Sequence, residues 1–321
     1  KGGSPVNARS VNTLPAARLS NFRRKFVRSI PYYVMILLPL AYLLVFKYYP
    51  MYGVQIAFKD YRVRAGITGS PWADPVFKHF TKFLSSPSAW SVIINTLVIS
   101  LYQLLASFPI PILLAIALNE VSSARFRKGV QMITYMPYFI STVVLVSMIL
   151  QFTDMSSGLI NQINRALGAE AVNYMGIKEY FRSIYVWTGV WQGSGYSAVI
   201  YLAALAGVNT ELYDAALVDG ATKLQRIRNV DLPSIAPTII TLFLLNTGSI
   251  LAVGFEKIYL MQNSMNISVS EVISTYVYKM GIQNVNYSYS TAVGLFNSVV
   301  NFAMLVLCNQ ISKRVTEVGL W

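Results

Sequence analysis

Charge, cysteine and histidine are scarce in this sequence. Of 321 residues only 12% are charged while 55% are hydrophobic, against about a quarter charged in a typical soluble domain. So few charges cannot dress a water-facing surface of this size, and the main solvent is expected to be lipid. Cys308 is the one cysteine and falls in the last apolar run, which excludes an internal disulfide framework and a thiolate metal cluster. His79 is the one histidine, which removes most zinc sites and most histidine-based catalysis. No GxxxxGKS/T loop or HExxH pair occurs, so no P-loop cradles ATP. Gly193, Ser194 and Gly195 place a serine between glycines inside an apolar run, but a nucleophilic serine needs a base, and His79 lies in another segment. Helix packing is the better reading of those glycines.

What is present is a series of apolar runs. A bilayer core about 30 Å thick asks for roughly 20 residues per helix. Runs near that length fall at Pro31 to Tyr49, Ala89 to Leu118, Val130 to Phe152, Ser183 to Ala206, Ala236 to Val253 and Thr291 to Ile311. The fold class expected is an all-α, polytopic membrane protein with about six transmembrane helices. The first run is too long for a signal peptide and lacks its small-residue cleavage site, so it is expected to stay. Pro109, Pro111 and Pro137 predict kinks in a packed bundle. Gly189, Gly193 and Gly195 predict close approach between helices.

The net charge of +13 could suggest nucleic acid, but the basic residues sit between apolar runs and not on one soluble module. Of the 26 Lys and Arg, about 15 fall in the first tail, the second and fourth loops and the last tail, which by the positive-inside rule puts both termini in the cytoplasm. Leu19, Phe22, Phe26 and Ile30 recur at helical spacing around Arg23, Arg24 and Lys25, as in a helix lying in the headgroup plane with an elbow into the first span. The expected organisation is a basic tail with that in-plane helix over 1–30, a first span and outer loop over 31–88, a core over 89–312 that includes a cytoplasmic loop at 209–235, and a cytoplasmic tail over 313–321.

The loop at 209–235 carries the most specific pattern. It reads as two short helices joined at Gly220, where the absent Cβ permits a left-handed turn, with Ala215 and Ala216 making a shallow face and Pro233 and Pro237 marking re-entry into the membrane. The run Asp214-Ala215-Ala216, Asp219-Gly220-Ala221 and Leu232-Pro233 resembles the E-A-A, D-G-A and L-P signature of permease subunits in binding-protein-dependent ABC importers. Asp214 replaces the usual Glu, and Ile227 stands where an aromatic is common. The resemblance extends to Asn95-Thr-Leu, Gln131 to Pro137, Trp191 to Ser197, Tyr201 to Gly207, Gly254 to Leu260 and Gly319-Leu-Trp321, and is closest to type I carbohydrate-uptake permeases serving polysaccharide-derived oligosaccharides.

That resemblance implies a multi-pass protein of the bacterial plasma (inner) membrane, with no catalytic role and no cofactor of its own, ATP and Mg being held by partners. Those partners would be a second, homologous permease, two cytoplasmic ABC ATPase subunits, an extracytoplasmic solute-binding protein, the oligosaccharide and membrane lipid, with no nucleic acid. The loop helix around Asp214 to Gly220 would insert in a cleft of one ATPase. A stand-alone channel or ion-coupled carrier is the alternative, but such coupling asks for ionisable residues deep in the spans, and the mapped runs hold almost none.

Sugar recognition needs hydrogen-bonding and aromatic side chains facing a wet cavity. The candidates are Trp191, Gln192 and Tyr196 in the fourth span, Asn246, Thr247 and Ser249 in the fifth, and Asn297 and Asn301 in the sixth, each of them equally open to a helix-to-helix hydrogen bond. Glu256 and Lys257, just past the fifth span, are expected to pair with each other or to meet the binding protein in preference to substrate. Lys47, Lys59, Arg62, Arg64, Lys78 and Lys82 leave the first outer segment basic. A basic entrance favours an anionic cargo, such as a uronate-containing oligosaccharide; attraction to lipid headgroups or to an acidic binding protein explains the same charges.

Overall fold

Proline and glycine divide the chain into helices, and no strand forms among the described residues, where the only β contact is an isolated antiparallel bridge between Lys59 and Trp72. The computed structural model describes residues 15–248, 251, 253–316 and 319, the side chains of 15–27, 315 and 316 excepted. The chain divides into a unit up to Gln55 and a second from Ile56 to Trp321.

The first unit is built on helix α1 (Pro15–Leu43), followed by a wider π turn at Leu44–Tyr48. The helix passes without a break through Ile30 and Pro31, where an elbow was expected. The side chains of Leu19, Phe22 and Phe26, on which the in-plane reading rests, lie outside the described residues.

The second unit contains α2 (Lys78–Leu84), α3 (Pro87–Ser107), α4 (Pro109–Asn119), α5 (Ala124–Tyr135), α6 (Thr142–Phe152), α7 (Leu159–Ala166), α8 (Lys178–Ala206), α9 (Thr210–Val218), α10 (Lys223–Arg226), α11 (Leu232–Thr247), α12 (Phe255–Met261), α13 (Ile273–Tyr278) and α14 (Tyr287–Thr316). Among the described residues, four helical stretches are long and apolar enough to cross a membrane: Arg28–Phe58, Pro87–Asn119, Lys223–Thr247 and Tyr287–Arg314.

Two expected spans differ from simple rods. The run from Val130 to Phe152 is not one kinked helix: the stretches Ala124–Phe139 and Thr142–Phe152 meet at 98°. The turn begins at Pro137, which lacks an amide hydrogen for the helical ladder, and passes through a 3-10 turn at Met136–Phe139. The run from Ser183 to Ala206 belongs to α8, a helix of 29 residues. It is absent from the apolar set because glycine, serine, tyrosine and Gln192 dilute its hydropathy.

Helix α8 is instead the central post. Phe181, Val186 and Val190 on it are buried against Ile99 of α3, Leu145 and Ile149 of α6 and Ile258 of α12. Further along, Ala198, Tyr201 and Leu205 pack with Ile112, Ala115 and Ile116 of α4 and Ile235 of α11. Lipid is as apolar as leucine, so helix association in a membrane rests on close packing and polar contacts. Gly195 supplies the first, since a Cβ there would overlap the Thr134 carbonyl of α5. Asn95 and Thr96 of α3 supply the second. Asn95 donates to Ser268 O and Glu271 O at 2.9 and 3.2 Å and accepts from Arg182 at 2.8 Å, and Thr96 accepts from Ile273 N at 2.9 Å. These bonds hold the segment between α12 and α13 to α3.

Candidate functional site

The loop between α8 and α11 is shaped by its own local chemistry. Asn209 caps α9 by accepting from Glu211 N at 3.0 Å. At the other end Gly220 takes φ +71°, the left-handed conformation. Its amide donates to Leu217 O at 3.1 Å, and that of Ala221 to Ala216 O at 2.9 Å, the paired bonds of a Schellman motif. Thr222 and Gln225 then form a capping box that starts α10. Arg226 reaches Glu120, at the end of α4, with a 2.9 Å ion pair. Tyr213 donates to Asp231, which is fully buried. Burial first, and then that carboxylate, push the Tyr213 hydroxyl up to about 12.

These ties hold up a shallow cleft of about 430 Å³, lined by Leu212, Ala215, Ala216, Asp219, Gly220 and Ala221 with Gln225, Arg226, Asn229 and Val230. Leu217, Val218 and Leu224 stand exposed beside it, Val218 at 88%. Asp214 is also exposed on α9. Leu232 and Pro233 open α11. Asp214 to Ala221 thus fall together on one short helical hairpin, and Leu232 and Pro233 lie at the start of the helix that follows it.

A second region lies beside α8. One cavity of about 460 Å³ is lined by Gln103, Tyr138, Gly189, Gly193, Ser194, Tyr196, Ser197 and Asn246, among others. Another, of about 420 Å³, shares Gln103, Tyr138, Gly189 and Gly193 with it and adds Ile140, Ser141, Tyr185, Gln192 and Lys257. Gly193 has nothing within 4 Å of where a Cβ would lie, so the glycine pair at 189 and 193 hollows the α8 surface. Tyr138 stacks on Tyr196 at 4.0 Å and 7°. Gln192 donates to Ile140 O at 2.8 Å, across the 98° corner.

Of the substrate candidates, Gln192, Tyr196 and Asn246 therefore line a cavity. Trp191 is half-exposed and lines neither of these two. Thr247 is buried and donates to Phe243 O. Asn301 accepts from Leu251 N at 3.0 Å, and the buried Oδ1 of Asn297 has no protein partner. Ser249 lies outside the described residues.

The family described as the binding-protein-dependent transport system inner membrane component matches residues 107–317. The chain belongs to this family. Among its relatives, the polygalacturonan/rhamnogalacturonan transport system permease protein YteP of Bacillus subtilis (strain 168) is 41% identical over 289 residues, spanning 90% of this chain and 89% of that one. The protein LplB of the same organism is also 41% identical over 289 residues, covering 90% of each chain. A chain in the crystal structure of a bacterial ABC transporter involved in the import of the acidic polysaccharide alginate superposes with a TM-score of 0.84 at 38% identity, covering 92% of this chain and 99% of that chain. The protein is accordingly a membrane component of an ABC importer, with the all-α permease fold.

Gln103 and Tyr138 line both of this permease's cavities and were not singled out in the sequence, and Lys257, which lines one of them, was given another role. Gln103 is a polar residue in the middle of an apolar run, and Tyr138 directly follows the helix-breaking Pro137; either fact could have pointed to them. Lys257 was expected to pair with Glu256 or the binding protein. Glu256 is exposed while Lys257 is buried, and no ion pair joins them, because adjacent residues on a helix point in different directions. Of the basic outer residues, Lys78 pairs with Asp60 at 3.0 Å, holding that carboxyl below its usual range, and His79 approaches the same group at 3.2 Å. Lys59 is buried over the Trp72 ring and donates to Ile67 O.

Proposed function

We propose that this permease forms half of the translocation pathway of an ATP-driven importer for acidic oligosaccharides, uronate-containing chains such as those derived from pectin or alginate. A second, homologous permease completes the pathway. Two separate cytoplasmic ATPases bind and hydrolyse ATP with Mg, and an extracytoplasmic binding protein delivers the cargo. The chain itself performs no catalysis, holds no cofactor, and keeps both termini in the cytoplasm of a bacterial cell.

The observation that carries this reading is the hairpin at 209–235, whose exposed apolar residues and shallow alanine-lined cleft suit insertion into another protein's groove. The absence of a P-loop from the sequence fits the same division of labour. The acidic cargo is supported by the likeness to a polygalacturonan/rhamnogalacturonan permease and to a transporter involved in the import of the acidic polysaccharide alginate. The cavities beside α8, lined by tyrosines and polar side chains, suit a sugar,.

The test is uptake by the assembled importer in proteoliposomes, using a labelled oligogalacturonate with unlabelled neutral or acidic oligosaccharides as competitors. Acidic chains are expected to compete and neutral ones of equal length to fail; equal competition rejects the acidic assignment.

A further inference from the structure

Lys257 is 9% exposed on α12. Its ammonium donates to Tyr185 O at 2.9 Å and lies 4.9 Å from the centre of that ring. No carboxylate forms an ion pair with it among the described residues. It nevertheless lines the 420 Å³ cavity. Directly beside it lies Gln103, whose buried Oε1 has no hydrogen-bond partner. The two meet over Gly189, where a Cβ would stand 3.4 Å from Lys257 Nζ and 3.2 Å from Gln103 Nε2.

A buried ammonium without an anion is costly, and so is a buried amide oxygen without a donor. Proteins normally pair both, so two such gaps in residues that line one cavity describe the ligand that fills them: an anionic oxygen for Lys257 and a hydroxyl for Gln103. A sugar acid carries both groups a few bonds apart. We infer that Lys257 is the carboxylate-recognising residue of the transport pathway, with Gln103 accepting a neighbouring sugar hydroxyl and the stacked Tyr138–Tyr196 pair beside them offering an apolar platform for the ring. Burial also draws the Lys257 ammonium down to about 8, as expected for a cation whose counter-ion is missing. The inference rests on the acidic-cargo reading and locates where the acid is read.

The assembled importer tests it through KM and kcat for uptake of trigalacturonate and of its methyl ester. Lys257→Met keeps the length of the side chain without its charge. A hydrogen bond to a charged group contributes about 1.5–3 kcal/mol, and 1.4 kcal/mol is tenfold in affinity, so KM for the acid is expected to rise about tenfold or more. KM for the ester should change little, and Lys257→Arg should restore the preference for the acid. Unchanged preference in Lys257→Met overturns the inference. Should that variant fail to assemble, Gly189→Ala decides: its methyl crowds both polar groups, and the acid-over-ester preference must fall several-fold or the inference is wrong. Wild-type protein that carries ester and acid alike instead overturns the acidic-cargo reading. A wild-type preference that survives in every variant overturns the Lys257 assignment alone.

Discussion

At the scale of single residues, buried polar groups identify the working positions. Among the described residues, Tyr213 is the one side-chain hydrogen-bond partner of the fully buried Asp231 carboxylate, whose other oxygen has none. Tyr213→Phe is therefore expected to cost about 1–3 kcal/mol, read as a lower unfolding temperature of the purified complex and a weaker link between uptake and ATP hydrolysis. Lys257 has a pH signature. Its charged form is disfavoured in the fold, so the penalty applies fully below about pH 8 and is relieved as pH rises from there towards its ordinary value of 10.5,. Uptake of an acidic cargo should run the other way, falling above about pH 8 as the ammonium is lost while neutral analogues are unaffected; Tyr185 and Tyr138 are the other titratable groups facing it. Tyr213 stood out in the sequence as no more than one tyrosine among many, and Lys257 was expected to pair with Glu256 or to meet the binding protein in preference to substrate. What distinguishes them is depth of burial and the lack or presence of a partner, which depend on elements far away in the chain.

At the scale of elements, local rules were readable wherever short-range chemistry decides the outcome. The hairpin at 209–235 could be anticipated because the Gly220 turn and the prolines at 233 and 237 act within a few residues of themselves. Gly220 has open space around its missing Cβ, so replacing it strains only the backbone. Gly220→Ala is expected to cost about 1–2 kcal/mol and to reduce ATP-coupled uptake several-fold, while Gly220→Asn, which tolerates the left-handed region, keeps most of it; equal uptake in all three would remove the turn from the coupling machinery. The corner between α5 and α6 was less readable. Pro137 signals a break, but the direction of the turn is settled by tertiary contacts such as Gln192 to Ile140 O. Helix α8 was found by length, yet its central position could not be: glycine and serine that lower its hydropathy are the residues that let other helices and a cavity approach it.

At the scale of the whole molecule, hydropathy and charge bias forecast an all-α membrane protein, and the proposed orientation is open to direct test. In a Cys308→Ala background, Lys223→Cys on α10 should resist a membrane-impermeant thiol reagent in intact cells and react after permeabilisation. Glu170→Cys, in the exposed segment after α7, should react in both; the reverse pattern inverts the topology. Cargo identity was the least legible property, since three of the six basic outer residues that first suggested it, Lys59, Lys78 and Lys82, are engaged in contacts of their own. The 98° corner has one more effect on the assembly. Peptide groups that leave a helix at membrane depth cannot face hydrocarbon and persist only against protein or water. A corner seated at that depth would bar its side of the subunit from the lipid annulus, so the bend is expected to prescribe how the permease is seated before any cargo arrives,.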